Sequence, residues 1–193
     1  MNKRSLVIIQ SAACALFGCG SYSDLTTDDG SDVMIPPYGI AIVLDFEDST
    51  EPKHLSGEKL VLYRESVELA GRRFADLITT SIRKKRIFKT VLRELSDIEA
   101  LVISGEIHRY VEGDAAARAL IGLGAGSSYF DSIVLLTDNR TNESLGRLEI
   151  DKNSWVLGGI VSAAQNIEGF MRGGAKKTAA ELRDAKLGIV AAK

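Results

Sequence analysis

The chain has 193 residues, 45% of them hydrophobic and 26% charged, the make-up of one globular domain with a full core. A formal net charge of −2 excludes the basic surface that nucleic-acid binding needs, so no nucleic-acid partner is expected. Both cysteines, Cys14 and Cys19, precede residue 20. The rest of the chain can therefore hold neither a disulfide framework nor a cysteine metal site, and no metal or cofactor is expected.

Residues 1–18 have the composition of an export signal. Lys3 and Arg4 give a positive start, and residues 5–17 (SLVIIQSAACALF) form an apolar run shorter than the roughly 20 residues of a spanning helix. The run closes on Leu16-Phe17-Gly18-Cys19. This resembles the lipobox of bacterial lipoproteins: an aliphatic residue, a small residue before the cleaved bond, then cysteine. Phe17 departs from the small or aliphatic residue usual at its position. The resemblance implies cleavage before Cys19, with diacylglyceryl and acyl chains (such as palmitate) on Cys19 as the membrane anchor. Gly20 stands where inner-membrane lipoproteins usually carry aspartate, so the implied location is the outer membrane, facing the periplasm. Cys14, preceded by Ser11-Ala12-Ala13, is the rival acceptor, and an ordinary signal peptide or a buried apolar helix is the alternative. Several acyl chains hold a protein stably where a single one is marginal. Loss of Lys3 and Arg4 takes the net charge from −2 to −4, which adds no electrostatic attraction to lipid.

Residues 19–37 read as the lipidated cysteine and a flexible tether. Residues 21–37 (SYSDLTTDDGSDVMIPP) are rich in Ser, Thr, Asp and Gly and offer little to bury. Fully extended, they would span about 55 Å, at about 3.3 Å per residue. The folded domain is expected over residues 38–190.

In residues 38–46 (YGIAIVLDF), Ile40, Ile42, Leu44 and Phe46 alternate with Ala41 and Val43, predicting a strand covered on both faces. Asp45, Glu47 and Asp48 follow. Three carboxylates at a strand end are candidates for acid–base work or cation binding, or a solvated loop. Residues 58–86 carry Val67, Ala70, Phe74, Leu77, Ile78 and Ile82 at helical spacing. Glu65 and Glu68 near the start and Arg83 to Arg86 at the end match the helix dipole. The basic run is also a candidate for gripping phosphates or anionic lipid. Residues 87–93 predict a short strand.

In residues 101–112, Leu101, Ile103, Ile107 and Val111 fall on one face, and Ser104, Glu106, His108 and Tyr110 on the other. His108 and Glu106 are a candidate proton-shuttling pair, or an ordinary solvated pair; His54 lies in a polar loop. Gly122, Gly124 and Gly126 (GLGAG) precede a strand and do not open a helix, so they do not fit a dinucleotide loop. They read as backbone devices in a connection, or as a partner-facing loop. Residues 128–138 are apolar on both faces at their centre, as in a central strand. Residues 138–143 (DNRTNE) predict a tight turn with Asn142 left-handed. Gly146, Leu148 and Ile150 then alternate with Arg147, Glu149 and Asp151, predicting a strand at or near an edge. Residues 154–186 keep helical spacing, interrupted at Gly158-Gly159 and Gly173-Gly174, so one long helix and two shorter ones both fit. Trp155 opens a ten-residue apolar segment (155–164), read as core packing or as an assembling or membrane-facing piece.

Gly105-Glu106-Ile107, Tyr110, Gly113, Arg118, Gly122, Gly124-Ala125-Gly126, Asp138, Thr141 and Glu143 resemble a family of small bacterial lipoproteins classed only as a domain of unknown function. The resemblance covers residues 38–185; Asn142 stands where the family usually has glycine. It implies a single α/β (α+β) domain, a mixed sheet of about five strands packed by two helices in the order β-α-β-β-β-β-α. That order is similar to the periplasmic domain of the curli secretion-channel lipoprotein, an outer-membrane activator of peptidoglycan synthases, and the amino-terminal domain of TolB. By analogy of fold, the expected role is non-catalytic binding of an envelope protein. The alternatives are a homo-oligomeric secretion-channel subunit, with Gly122, Gly124, Gly126 and Trp155 as contacts, and an enzyme using Asp45, Glu47, Asp48 or His108.

Overall fold

The computed structural model describes residues 19–113, 127–154 and 166–189. In chain order these form β1 (Cys19–Tyr22), β2 (Ile40–Val43), β3 (Glu47–Asp48), α1 (Glu58–Lys85), β4 (Thr90–Leu92), β5 (Leu101–Val111), β6 (Tyr129–Asp138), β7 (Ser144–Asn153) and α2 (Ile167–Leu187). All the strands join one mixed sheet in the order β1-β7-β6-β5-β2-β4, with β3 extending the line of β2 along β5. The expected single α+β domain with a mixed sheet and two helices is what forms. Two more strands are present than expected, β1 and β3.

Both helices cover the same face of the sheet. The apolar stripe of α1 is buried from Val67 through Phe74 to Ile82, over Ala41 and Val43 of β2, Val91 of β4 and Leu101, Ile103 and Ile107 of β5, while α2 packs on β6 and β7. Phe74 is the centre of the layer. Its ring meets Phe46 edge-on at 4.8 Å and Phe130 at 5.1 Å, an arrangement that adds to plain area burial. Gly105 makes this possible, because a Cβ there would sit 2.0 Å from the Ile133 carbonyl oxygen and 2.5 Å from the Phe46 ring. Among the described residues, the opposite face carries one small second cluster beside β2, of Ile42, Ala100 and Val102. Ile133 and Leu135 of β6 therefore stay half-buried, and the strand has one dry face.

Residues 19–37 are not a flexible tether. Cys19, Gly20, Ser21 and Tyr22 pair antiparallel with Asn153, Lys152, Asp151 and Ile150, and Thr26 exchanges two backbone hydrogen bonds with Arg147 at 3.0 and 2.7 Å. Leu25, Val33 and Ile35 are buried in the main core. The Leu25 amide donates to Glu181 at 3.1 Å, and Lys177 bridges Asp24 and Glu181. Three apolar side chains scattered among polar ones carry no periodicity, so composition alone points to disorder. Their burial against a preformed sheet and helix decides otherwise.

The strand at 101–112 also departs from simple alternation. A bulge falls between Ile107 and Arg109, and the extra residue turns everything after it over. Tyr110 goes into the core, while Val111 becomes 41% exposed, the reverse of the expected facing. In the turn, Asn142 is left-handed with φ 56° as expected. α2 runs unbroken through Gly173-Gly174. Those glycines admit neighbours: a Cβ on Gly173 would lie 2.2 Å from the Tyr22 hydroxyl oxygen, and one on Gly174 would lie 2.8 Å from Ile150 Cδ1. Asn166 caps the start of α2 by accepting from the Gly169 amide at 2.8 Å.

Candidate functional site

The three carboxylates after β2 do not converge. Asp45 accepts from Arg93 and lies 3.6 Å from Arg72. Asp48 takes Arg64 at 2.6 Å and the Thr50 hydroxyl at 2.6 Å. Burial pushes the Asp48 carboxyl up, but the bonds from Arg64 and Thr50 outweigh it and hold it below its ordinary range. Glu47 points to solvent. The first and third carboxylates are thus each neutralised by an arginine that also ties α1 or the segment after β4 to the sheet.

His108 stands 3.5 Å from Glu106, and the Ser49 hydroxyl donates to the same carboxylate at 2.9 Å. His54, far away in sequence, lines the same groove of about 420 Å³ as His108, together with Tyr63, Arg109 and Val111. Sequence spacing gave no sign of this. It follows from the parallel pairing of β3 with β5, which brings the next loop alongside the end of β5. Among the described residues no group of three or more His, Cys, Asp or Glu side chains is placed to hold a metal ion.

The basic run at the end of α1 divides. Arg83 donates to the Val91 carbonyl at 2.7 Å and so fastens the helix to β4. Lys84 and Lys85 line an open groove of about 680 Å³ with Arg172 and Lys176 of α2, over Leu77, Thr80 and Ser81. Among the described residues no carboxylate lines it, although Glu168 reaches Arg172 at 3.1 Å.

The end of the sheet is defined by one registered row. Val111 lies opposite Tyr129, Tyr129 opposite Asn153, and Asn153 opposite Cys19. Arg109 lies over the Tyr129 ring at 3.6 Å. Gly122, Gly124, Gly126 and Trp155 lie outside the described residues, as does Cys14. Ser127 and Ser154, described residues that border those segments, lie at this same end, where the Ser154 amide donates to the Ser128 carbonyl at 3.0 Å. No described helix is long and apolar enough to cross a membrane.

Residues 43–158 match the model of the family described as domain of unknown function DUF4410, and the chain belongs to that family. No curated protein matches it in sequence. Among solved structures, a PelC variant from Paraburkholderia phytofirmans, a dodecamer, is similar at 11% identity and a TM-score of 0.54, over 85% of this chain and 98% of that one. A second PelC dodecamer from the same organism gives 12% identity and a TM-score of 0.49, over 82% and 98% of the two chains. A DUF330 protein from Xanthomonas campestris gives 12% and 0.43, over 73% and 81%. At such identities the likeness is one of fold.

Proposed function

We propose that this chain is a lipid-anchored protein of the bacterial cell envelope that acts by non-catalytic protein binding or assembly in the periplasm. The observation that carries the anchor is the run Leu16-Phe17-Gly18-Cys19 behind a short apolar stretch. Cys19 is the acylated residue, and the outer membrane is the site. Support for a binding role over catalysis comes from the acidic cluster, whose Asp45 and Asp48 are taken up by arginines. The anchor is tested by acyl labelling in cells. Incorporation lost in Cys19→Ala and kept in Cys14→Ala is expected; the opposite pattern, or none, overturns it. Crosslinking in cells followed by mass spectrometry tests the binding role, and the lack of any reproducible envelope partner or self-crosslink counts against it.

A second reading, a homo-oligomeric subunit of an outer-membrane secretion channel, draws on the PelC fold, whose solved forms are dodecamers. It is also favoured by a sheet that ends in the short strands β1 and β4, edges that backbone pairing can extend. Light scattering of the detergent-extracted protein decides this, since a strict monomer rules it out.

A further inference from the structure

We infer that the Cys19 end of the sheet is seated directly on the phospholipid leaflet that holds the anchor, in one fixed orientation. This rests on the reading of Cys19 as the acylated residue. A lipoprotein's acyl chains begin at its first residue, so the freedom of the domain is set by the chain between that residue and the fold. Here there is none. The Cys19 backbone is already paired with Asn153, and Gly20 with Lys152. Tyr22, three residues on, is held under the Lys152 ammonium at 3.9 Å and against Gly173 of α2.

The rest of the end row must then lie close to the same surface. Neighbouring strands are about 4.8 Å apart, so Asn153, Tyr129 and Val111 stand in line within about 15 Å of Cys19. What this end exposes suits an interface. Val111 is 41% exposed because the bulge turns it out of the core, and Val61 and Leu62, in the first turns of α1, are 57% and 56% exposed. The Tyr63 hydroxyl ties those turns to the Tyr110 carbonyl at 3.3 Å. Charge does not choose the occupant. Lys53 is offset by Glu51 at 3.4 Å, and Arg109 is held over the Tyr129 ring at 3.6 Å with its charge drawn toward Asp131, so the contact is chiefly apolar and aromatic, and it should resist salt. The strands carry the Asn139–Asn142 hairpin to the far end, about 30 Å away at about 3.3 Å per residue.

The test uses the full chain, lipidated in cells and reconstituted into phosphatidylethanolamine–phosphatidylglycerol vesicles that contain a nitroxide-headgroup lipid. Single cysteines at Leu62→Cys, Val111→Cys and Arg140→Cys carry an NBD fluorophore, since Cys19 is blocked by its thioether. Loss of NBD emission at residues 62 and 111, with emission at 140 retained, is expected. A flexible Gly-Ser spacer inserted between Cys19 and Gly20 should restore emission at 62 and 111 without changing the melting curve. Equal quenching at all three positions, or none at any, with acylation intact overturns the seating and leaves the anchor standing. Absence of acylation at Cys19 overturns the anchor, and the seating with it.

Discussion

The hairpin end of the sheet and the Cys19 end use a buried or shielded aspartate in opposite ways. At the hairpin, Asp138 is surrounded by donors. The Tyr38 hydroxyl bonds it, the Arg140 and Thr141 amides reach it at 2.8 Å, and the Thr141 hydroxyl at 3.1 Å. Led by the Tyr38 bond, these hold its carboxyl down at about 2. Near the Cys19 end, Asp131 faces Asp151 across the ladder, and one of its oxygens is buried with no hydrogen-bond partner among the described residues. Burial first, then the Asp151 charge, pushes its carboxyl up to about 6, against the opposing pull of Arg109. One end is a turn closed on itself. The other keeps an acid that burial and a facing carboxylate hold in its protonated form to higher pH.

What joins the two ends should matter most to both. Phe74→Ala removes the ring shared by Phe46 and Phe130, and a loss of about 3–5 kcal/mol is expected. Urea unfolding should show it as a lower midpoint with both ends lost together. The hairpin end comes next. The Asn139 side-chain amide donates to the Ser96 and Ile98 carbonyls at 2.8 and 2.7 Å. Asn139→Ala leaves both without that donor and should cost about 1–3 kcal/mol, with amide exchange rising first around residues 96–100.

At the Cys19 end the sign reverses. A folded-state value of about 6, above the ordinary 3.8, means that the folded chain holds a proton the unfolded chain releases. Stability from this group therefore falls as pH rises from the ordinary value through about 6. Asp131→Asn should stabilise the protein above that window by about 1–2 kcal/mol, after discounting for partial solvent screening, and should do nothing well below it. Melting curves across that range check both halves of the statement. Asp138 behaves conversely: its contribution is present above 3.8 and is lost as pH falls toward about 2. The smallest expected effect is from Tyr38→Phe. It should raise the Asp138 carboxyl toward its ordinary value, visible as a displaced titration of that residue by NMR and an acid limb that begins at higher pH.

The same contrast governs what the sequence disclosed. The hairpin end was legible because turn chemistry is local: DNRTNE predicts the turn, and Asn142 is left-handed where it should be. The helix stripe and the alternation of Gly146, Leu148 and Ile150 were legible for the same reason, since each is a period within one segment. The Cys19 end depends on contacts between distant segments. No pattern in residues 21–37 announces that Leu25, Val33 and Ile35 will be buried. Nothing near His54 predicts that it will share a groove with His108. The bulge at Ile107–Arg109 exchanges the roles of Tyr110 and Val111, and strict alternation cannot foresee an inserted residue. Of the residues singled out as contacts, Gly122, Gly124, Gly126 and Trp155 lie outside the described fold, while Cys19 falls within its first strand.

The pairing of the first strand with the last has a consequence for the order of events in folding. Among the described residues β1 pairs with β7, and Tyr22 lies against Gly173 of the final helix. A chain that emerges amino-terminus first must deliver nearly all of itself before Cys19 acquires its described partner, Asn153. If Cys19 is acylated as proposed, the modification reaches it before β1 is paired, and the fold closes around it afterwards.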